Sequence, residues 1–235
     1  MRPMSEPAGS ADDRSVFRDA LLAAAAGLGI GPGPDQVERM YRHHVLVAEA
    51  NRHFNLTRIT APADAAVRHY ADSLSLLAAP WVDPGEPLAV LDVGTGAGFP
   101  AVPLAVVCPA WSLTAIDGTG KKVRFLETAA ATLGLSNLTA LHARAEQLKA
   151  QRRAAFDLVL IRAVGAMPEL LPQMAPLLAS GGLAVFYKTP NVPPAEMEAA
   201  TGTAARCGLT APRTFDLTLT CGREILGRRL VCFGR

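Results

Sequence analysis

The chain has 235 residues, half of them hydrophobic, about a fifth charged, with a net charge of +2. That length supports one substantial globular unit with a large apolar interior, and so small a net charge does not by itself announce a binder of nucleic acid or membrane. Cys108, Cys207, Cys221 and Cys232 show no CxxC spacing and no histidine partner pattern, which argues against a disulfide framework and against a metal site.

In chain order, residues 1–13 are rich in Pro, Ser, Gly and acid and are expected to form a disordered tail. Arg14–Leu28 reads as a helix that the Gly29–Pro34 segment breaks. The apolar run Ala20–Ile30 is too short to span a bilayer and lacks a signal-peptide pattern, so a cytoplasmic setting without membrane contact is expected. Asp35–Phe54 reads as a second helix, with Val37, Met40, Tyr41, His44, Val45 and Ala48 near one face. Thr60 is placed to cap a third helix reaching about Ala79, and Pro80–Pro87 is a linker. Residues 14–87 therefore read as a helical cap and linker, and residues 88–235 as the domain that follows.

From Leu88 onward, strands and helices alternate. Strands are expected at Leu88–Val93, Trp111–Ile116, Leu138–His142, Phe156–Ile161 and Gly181–Lys188, with a closing antiparallel pair at Arg213–Leu219 and Arg228–Phe233. Helices are expected at Pro100–Val107, Lys121–Gly134, Ala143–Ala150 and Pro194–Cys207. A further helix, Met167–Leu178, carries three prolines and should be interrupted. Such alternation implies an α/β fold: a mostly parallel sheet with helices on both faces, here with an N-terminal helical extension.

The chemistry concentrates where the first of these strands ends. Asp92-Val93-Gly94-Thr95-Gly96-Ala97-Gly98-Phe99 turns from strand into helix through three glycines, which let a ligand lie against bare main chain. Asp117, at the end of the second strand, is placed to accept hydrogen bonds from a ribose diol. Phe99 stands where a dinucleotide fingerprint wants Gly or Ala. The pattern instead resembles motif I of the Rossmann-like class I S-adenosylmethionine (SAM) methyltransferases. The candidate cofactor residues are Asp92, Gly94, Thr95, Gly96, Gly98, Phe99 and Asp117.

Phe54-Asn55-Leu56-Thr57, His69-Tyr70-Ala71-Asp72-Ser73-Leu74, Pro103-Leu104, Gly120-Lys121-Lys122-Val123-Arg124-Phe125-Leu126, Ile161-Arg162-Ala163 and Tyr187-Lys188 occur in this order. Together they resemble the bacterial family called glucose-inhibited division protein B, which methylates N7 of a guanine in 16S ribosomal RNA, over roughly residues 36–235. The resemblance implies SAM as cofactor, with Ala145 and Glu146 near its adenine. It implies 16S rRNA or the small ribosomal subunit as partner of a monomeric enzyme. It also places Arg162 and Lys188 at the mouth of the active site as candidate catalytic residues, Arg162 near cofactor or RNA. Ile161 replaces the family's Ser, Thr189-Pro190 follows Lys188, and Lys122 replaces an Arg; these departures bear on RNA contacts more than on the cofactor.

Several residues have two readings. Lys121, Lys122 and Arg124 are either a solvated basic face or phosphate contacts. His69, with Asp72 on the same face, either takes a direct part in catalysis or nucleic-acid contact or is a brace to the loop around Asn55. Arg223, Arg228 and Arg229 read as a solvated face, and the cysteines as packing groups. A related enzyme with another substrate, an NAD-dependent oxidoreductase and a non-catalytic SAM binder are the rivals. Phe99 and the lack of a Tyr-x-x-x-Lys pair speak against the oxidoreductase.

Overall fold

The computed structural model describes residues 10–148 and 152–235. Residues 1–9, most of the expected tail, and 149–150, the end of the helix expected at Ala143–Ala150, lie outside the described residues. Helix α1 (Ala11–Ala26) starts earlier than expected because Ser10 caps it, accepting from Asp13 N–H at 3.0 Å. Residues 11–13, expected in the tail, are thus its first turn, with Asp12 and Asp13 at its positive end. Helix α2 (Pro34–Asn51) follows the Gly-Pro break, Pro34 supplying a preset φ at its first turn. The third helical stretch opens at α3 (Pro62–Ala65), with Ala61 rather than Thr60 at the cap and no side-chain capping bond. It widens into a π-helical segment, Ala66–Ala71, and closes through α4 (Asp72–Leu74) and a 3-10 turn, Ser75–Ala78.

Seven strands then form one sheet: β1 (Ala89–Val93), β2 (Ser112–Asp117), β3 (Leu138–His142), β4 (Phe156–Arg162), β5 (Leu178–Lys188), β6 (Arg213–Cys221) and β7 (Glu224–Gly234). Their order is β3-β2-β1-β4-β5-β7-β6. The first five are mutually parallel, and β7 inserts antiparallel between β5 and the edge strand β6. Helices α5 (Ala101–Val107), α6 (Gly120–Leu133), α7 (Ala145–Leu148), α8 (Met167–Met174) and α9 (Pro194–Arg206) connect them. The prolines stop α8 as expected, and a 3-10 turn, Ala175–Leu177, takes over.

Strand alternation sorts the core into two layers. Leu91, Val159, Ile161, Phe186 and Phe233 face α8 and α9. Val90, Leu158, Leu160, Val185 and Leu230 face the other way, into a core shared by α5, α6 and the N-terminal helices. Phe17, Leu21, Met40, Tyr41 and Tyr70 belong to that same core, so the cap is the outer wall of one sheet face. On β6, Phe215, Leu217 and Leu219 join this layer while Thr214, Asp216, Thr218 and Thr220 face solvent, the pattern of an edge strand covered on one side.

Candidate active site

Parallel register brings the ends of β1, β2, β4 and β5 to one sheet edge, where ligands of open α/β folds bind. The glycine loop crosses this edge: Gly94 and Thr95 N–H both donate to Ile116 C=O, at 2.8 and 3.0 Å, and Gly98 and Phe99 N–H to Thr95 C=O. Gly94, Gly96 and Gly98 all have positive φ. They differ in what a side chain would meet. A Cβ on Gly94 would strike Val164 at 2.6 Å, and one on Gly98 would strike Val102 at 2.6 Å. At Gly96, φ is +61°, and a Cβ would have only Gly94 C=O within 4 Å, at 3.9 Å. Its outer face is therefore open space that a ligand can approach.

Asp117 sits beside it, accepting from Gly96 N–H at 3.1 Å and Thr119 N–H at 2.8 Å. Lys122 Nζ lies 3.7 Å from the same carboxylate. Val93, Gly94, Asp117, Ala145 and Glu146 line a cleft of about 350 Å³, a size suited to a nucleoside-sized ligand. Ala145 and Glu146 form the first turn of α7, where N–H groups lack intrahelical acceptors. Four members of the expected cofactor set, Gly94, Asp117, Ala145 and Glu146, thus share one cleft.

Three others face inward. Asp92 is buried and accepts from Ala101 N–H at 3.2 Å, so it braces the start of α5. Burial pushes its pKa up to about 7, against the opposing pull of the Thr95 hydroxyl, the Ala101 N–H and Arg162. Thr95 is buried beside it. The Phe99 side chain does not line the cleft: its ring stacks on His69 at 4.5 Å and meets Tyr70 and His43 edge-on. That aromatic knot joins the cap to the glycine loop. His43, fully buried, bonds Tyr70 Oη through Nδ1 at 2.8 Å, and its Nε2 lies 3.5 Å from where a Cβ on Gly98 would be. Burial lowers its pKa to about 3.

His69 is not a surface contact for nucleic acid. It is buried, its Nε2 is 2.8 Å from Thr57 Oγ1, and burial, then the charge of Arg162, lower its pKa to about 4. Asn51 Oδ1 accepts from Leu56 and Thr57 N–H, at 2.7 and 3.0 Å, so the histidine braces the loop that includes Asn55.

Arg162 and Lys188 stand at the edge as expected, but both are engaged within the protein. Arg162 donates from Nε to Asp72 Oδ2 and from Nη2 to Arg68 C=O, each at 2.7 Å. Asp72 is buried, and its other oxygen accepts from Arg228. Arg228, expected in solvent, therefore ties β7 to the cap; only the register of the β6–β7 hairpin selects it, and periodicity carries no signal for that. Arg229 takes the solvent side, donating from Nε and Nη2 to the two carboxylate oxygens of Asp216, each at 2.6 Å. Lys188 Nζ donates to Glu196 Oε1 at 2.8 Å and to Gly165 C=O at 3.2 Å. Burial alone would raise the Glu196 carboxyl; Lys188 and the Met167 N–H together hold it below its usual value. Among the three basic residues of α6, Lys122 turns to Asp117, whereas Lys121 and Arg124 are exposed.

A family model, rRNA small subunit methyltransferase G, matches residues 36–212. The chain belongs to this family. Relatives bearing the name Ribosomal RNA small subunit methyltransferase G include one from Solibacter usitatus (strain Ellin6076), 40% identical over 190 residues and 80% of each chain. Another, from Deinococcus radiodurans, is 41% identical over 74% of this chain and 68% of its own. Solved structures agree on the fold. A precorrin-6y C5,15-methyltransferase from Geobacter metallireducens GS-15 superposes with a TM-score of 0.52 at 18% identity, over 71% of this chain and 87% of that one. M. jannaschii TYW2 in complex with AdoMet gives 0.50 at 15%, over 64% and 68%. These place the methyltransferase G sheet among class I methyltransferase folds.

Proposed function

We propose that the protein transfers a methyl group from SAM to N7 of a guanine in 16S rRNA, as a monomer in the cytoplasm, with the helices before residue 88 forming the substrate-side wall. The observation that carries this reading is the open face of Gly96 beside the Asp117 carboxylate, in a chain of the methyltransferase G family. The cleft fits the cofactor: Asp117 would take the ribose hydroxyls, the Gly94–Gly98 backbone the amino-acid end, and the first turn of α7 the adenine. When bound, SAM supplies an activated methyl group on a cationic sulfur. Among the described residues, no helix is long and apolar enough to cross a membrane.

Guanine N7 carries an in-plane lone pair at neutral pH, so no proton must leave before attack. The chain's task is to hold the base in line, and such positioning is worth about 7–11 kcal/mol. Arg162 suits that task better than proton transfer: its guanidinium is permanently charged and fixed by Asp72 and Arg68. It acts as a positioning residue holding the cap over the β4 end, and Lys188 likewise holds the loop after β4. Covalent attack by Cys108 is disfavoured, since burial pushes its thiol up to about 12, and burial raises Cys221 and Cys232 as well. Incubation with methyl-tritiated SAM and small ribosomal subunits, followed by nucleoside analysis, tests the reading. The expected product is 7-methylguanosine; label in another nucleoside, or in none, overturns it.

A further inference from the structure

A second cavity, of about 510 Å³, lies between the end of α2 and the first half of α6. Ala50, Phe54 and Phe125 give it an apolar floor, while Lys121, Arg124 and His53 stand at its rim. The floor is firmly held. Phe54 packs against the shared core, and Asn51 pins the backbone just beyond it. The charge is one-sided. Glu49, the carboxylate in the lining, is paired with Arg52 at 2.9 Å. Lys121 and Arg124 have no acidic partner among the described residues, although Lys122 between them is drawn to Asp117. The two cavities share no lining residue, but α6 links them: Lys122 reaches Asp117 in the cofactor cleft, while its neighbours Lys121 and Arg124 line this one.

An aromatic floor under a cationic rim suits a group with a flat π face and an anionic chain attached, which describes a nucleotide of an unpaired strand. A base inside a duplex keeps both faces stacked and cannot reach the floor. We propose that this cavity holds an unstacked base of the RNA beside the target guanine, its ring against Phe54 and its flanking phosphates on Lys121 and Arg124. The inference rests on the rRNA-methyltransferase reading above. Anchoring a neighbouring nucleotide also offsets part of the cost of drawing the target base from its stack.

The test uses full-length protein, a fluorescein-labelled single-stranded RNA carrying the target region, its complementary duplex, and small ribosomal subunits. Variants are Lys121→Ala/Arg124→Ala and Phe54→Leu, the latter keeping apolar volume while removing the aromatic face. The double variant should flatten the slope of log affinity against log salt by about 1.4 for the single strand, at about 0.7 per lost phosphate contact. Phe54→Leu should weaken single-strand binding roughly tenfold with the salt slope unchanged. Both should raise KM for subunits while calorimetric SAM affinity stays at the wild-type value. If Phe54→Leu fails to fold, the charge variant carries the test.

Wild-type methyl transfer reads the parent assignment separately. A wild type that methylates subunits, with variants that bind the single strand at wild-type affinity and slope, overturns the cavity assignment alone. Equal wild-type affinity for duplex and single strand overturns it too. Variants that lose affinity for subunits but not for naked RNA would make the occupant a ribosomal protein, and the proposal would fall.

Discussion

Two basic corners of the same edge behave oppositely. At the β4–β7 corner, Arg162 and Arg228 converge on the buried carboxylate of Asp72, and their charge is consumed inside the protein. At the α2–α6 corner, Lys121 and Arg124 stand over an apolar cavity whose carboxylate, Glu49, is paired with Arg52. A basic residue at the ligand edge is thus not automatically a ligand contact. The first corner holds the cap in place, and the second keeps its charge available for an anionic partner.

The contrast is most sharply broken at Asp72. Replacing it by Ala leaves two partly buried guanidinium groups facing each other, which should cost about 3 kcal/mol, the low end for a disrupted buried pair. Urea unfolding checks this, and a loss below about 1 kcal/mol would mean that water already pairs these arginines. Gly96→Val should abolish SAM binding in calorimetry, because the branched side chain fills the open face and resists φ of +61°. Retained binding would move the cofactor off the loop.

Acid should act on the wall of the cap rather than on the free corner. Between about pH 4 and 6.5, the unfolded chain binds two protons at His43 and His69 that the folded chain refuses. Asp92 works the other way, remaining protonated in the folded state up to about 7. Net of these three, the unfolded state holds one more proton, and His44, which burial also lowers, adds to the difference, so stability should fall by at least about 1.4 kcal/mol per pH unit on acidification through this window. Asp92→Asn removes the opposing group and should steepen the dependence by about 1.4 kcal/mol per pH unit. Equal slopes in the two proteins would show that Asp92 is hydrated.

Asp117→Ala should weaken SAM by about 1–3 kcal/mol through lost charge-assisted hydrogen bonds, read by calorimetry, without changing affinity for RNA. An effect on RNA of similar size would merge the two sites. The smallest effect belongs to the free corner: Lys121→Ala/Arg124→Ala should change folding stability by less than about 0.5 kcal/mol in thermal melts. A larger loss would show that these charges already have structural partners.

Much of this arrangement was legible in the chain. Strand periodicity, three glycines and Asp117 located the cleft because strand, turn and helix N-terminus are local features. Phe99 is expected at the cofactor, and His69 has two expected readings of which the structure shows the brace; neither outcome can be read locally, for a common reason. Both are near the ligand edge in sequence, yet their rings turn toward the aromatic knot under the cap, a contact between segments that no local pattern reports. Arg228 was misread because the insertion of β7 between β5 and β6 decides which face it takes. The Phe54 cavity is not legible as a site: Phe54 and the Lys121–Phe125 stretch each lie in a segment that carries the family resemblance, but only the fold brings these distant segments together.

Asp72 also has a consequence in time. Its two arginines lie 90 and 156 residues further along the chain, so neither contact can form before most of the chain exists. Contacts of such long sequence separation pay their loop-closure entropy late in folding. Until β7 slots in beside β5, the carboxylate has at most one partner, and the cap is held to β5 through the hydrogen bond from Tyr187 Oη to Ser73 C=O. Hydrogen exchange should accordingly find the π-helical segment protected no sooner than β7, so that the enzyme becomes able to engage its substrate only as its sheet closes.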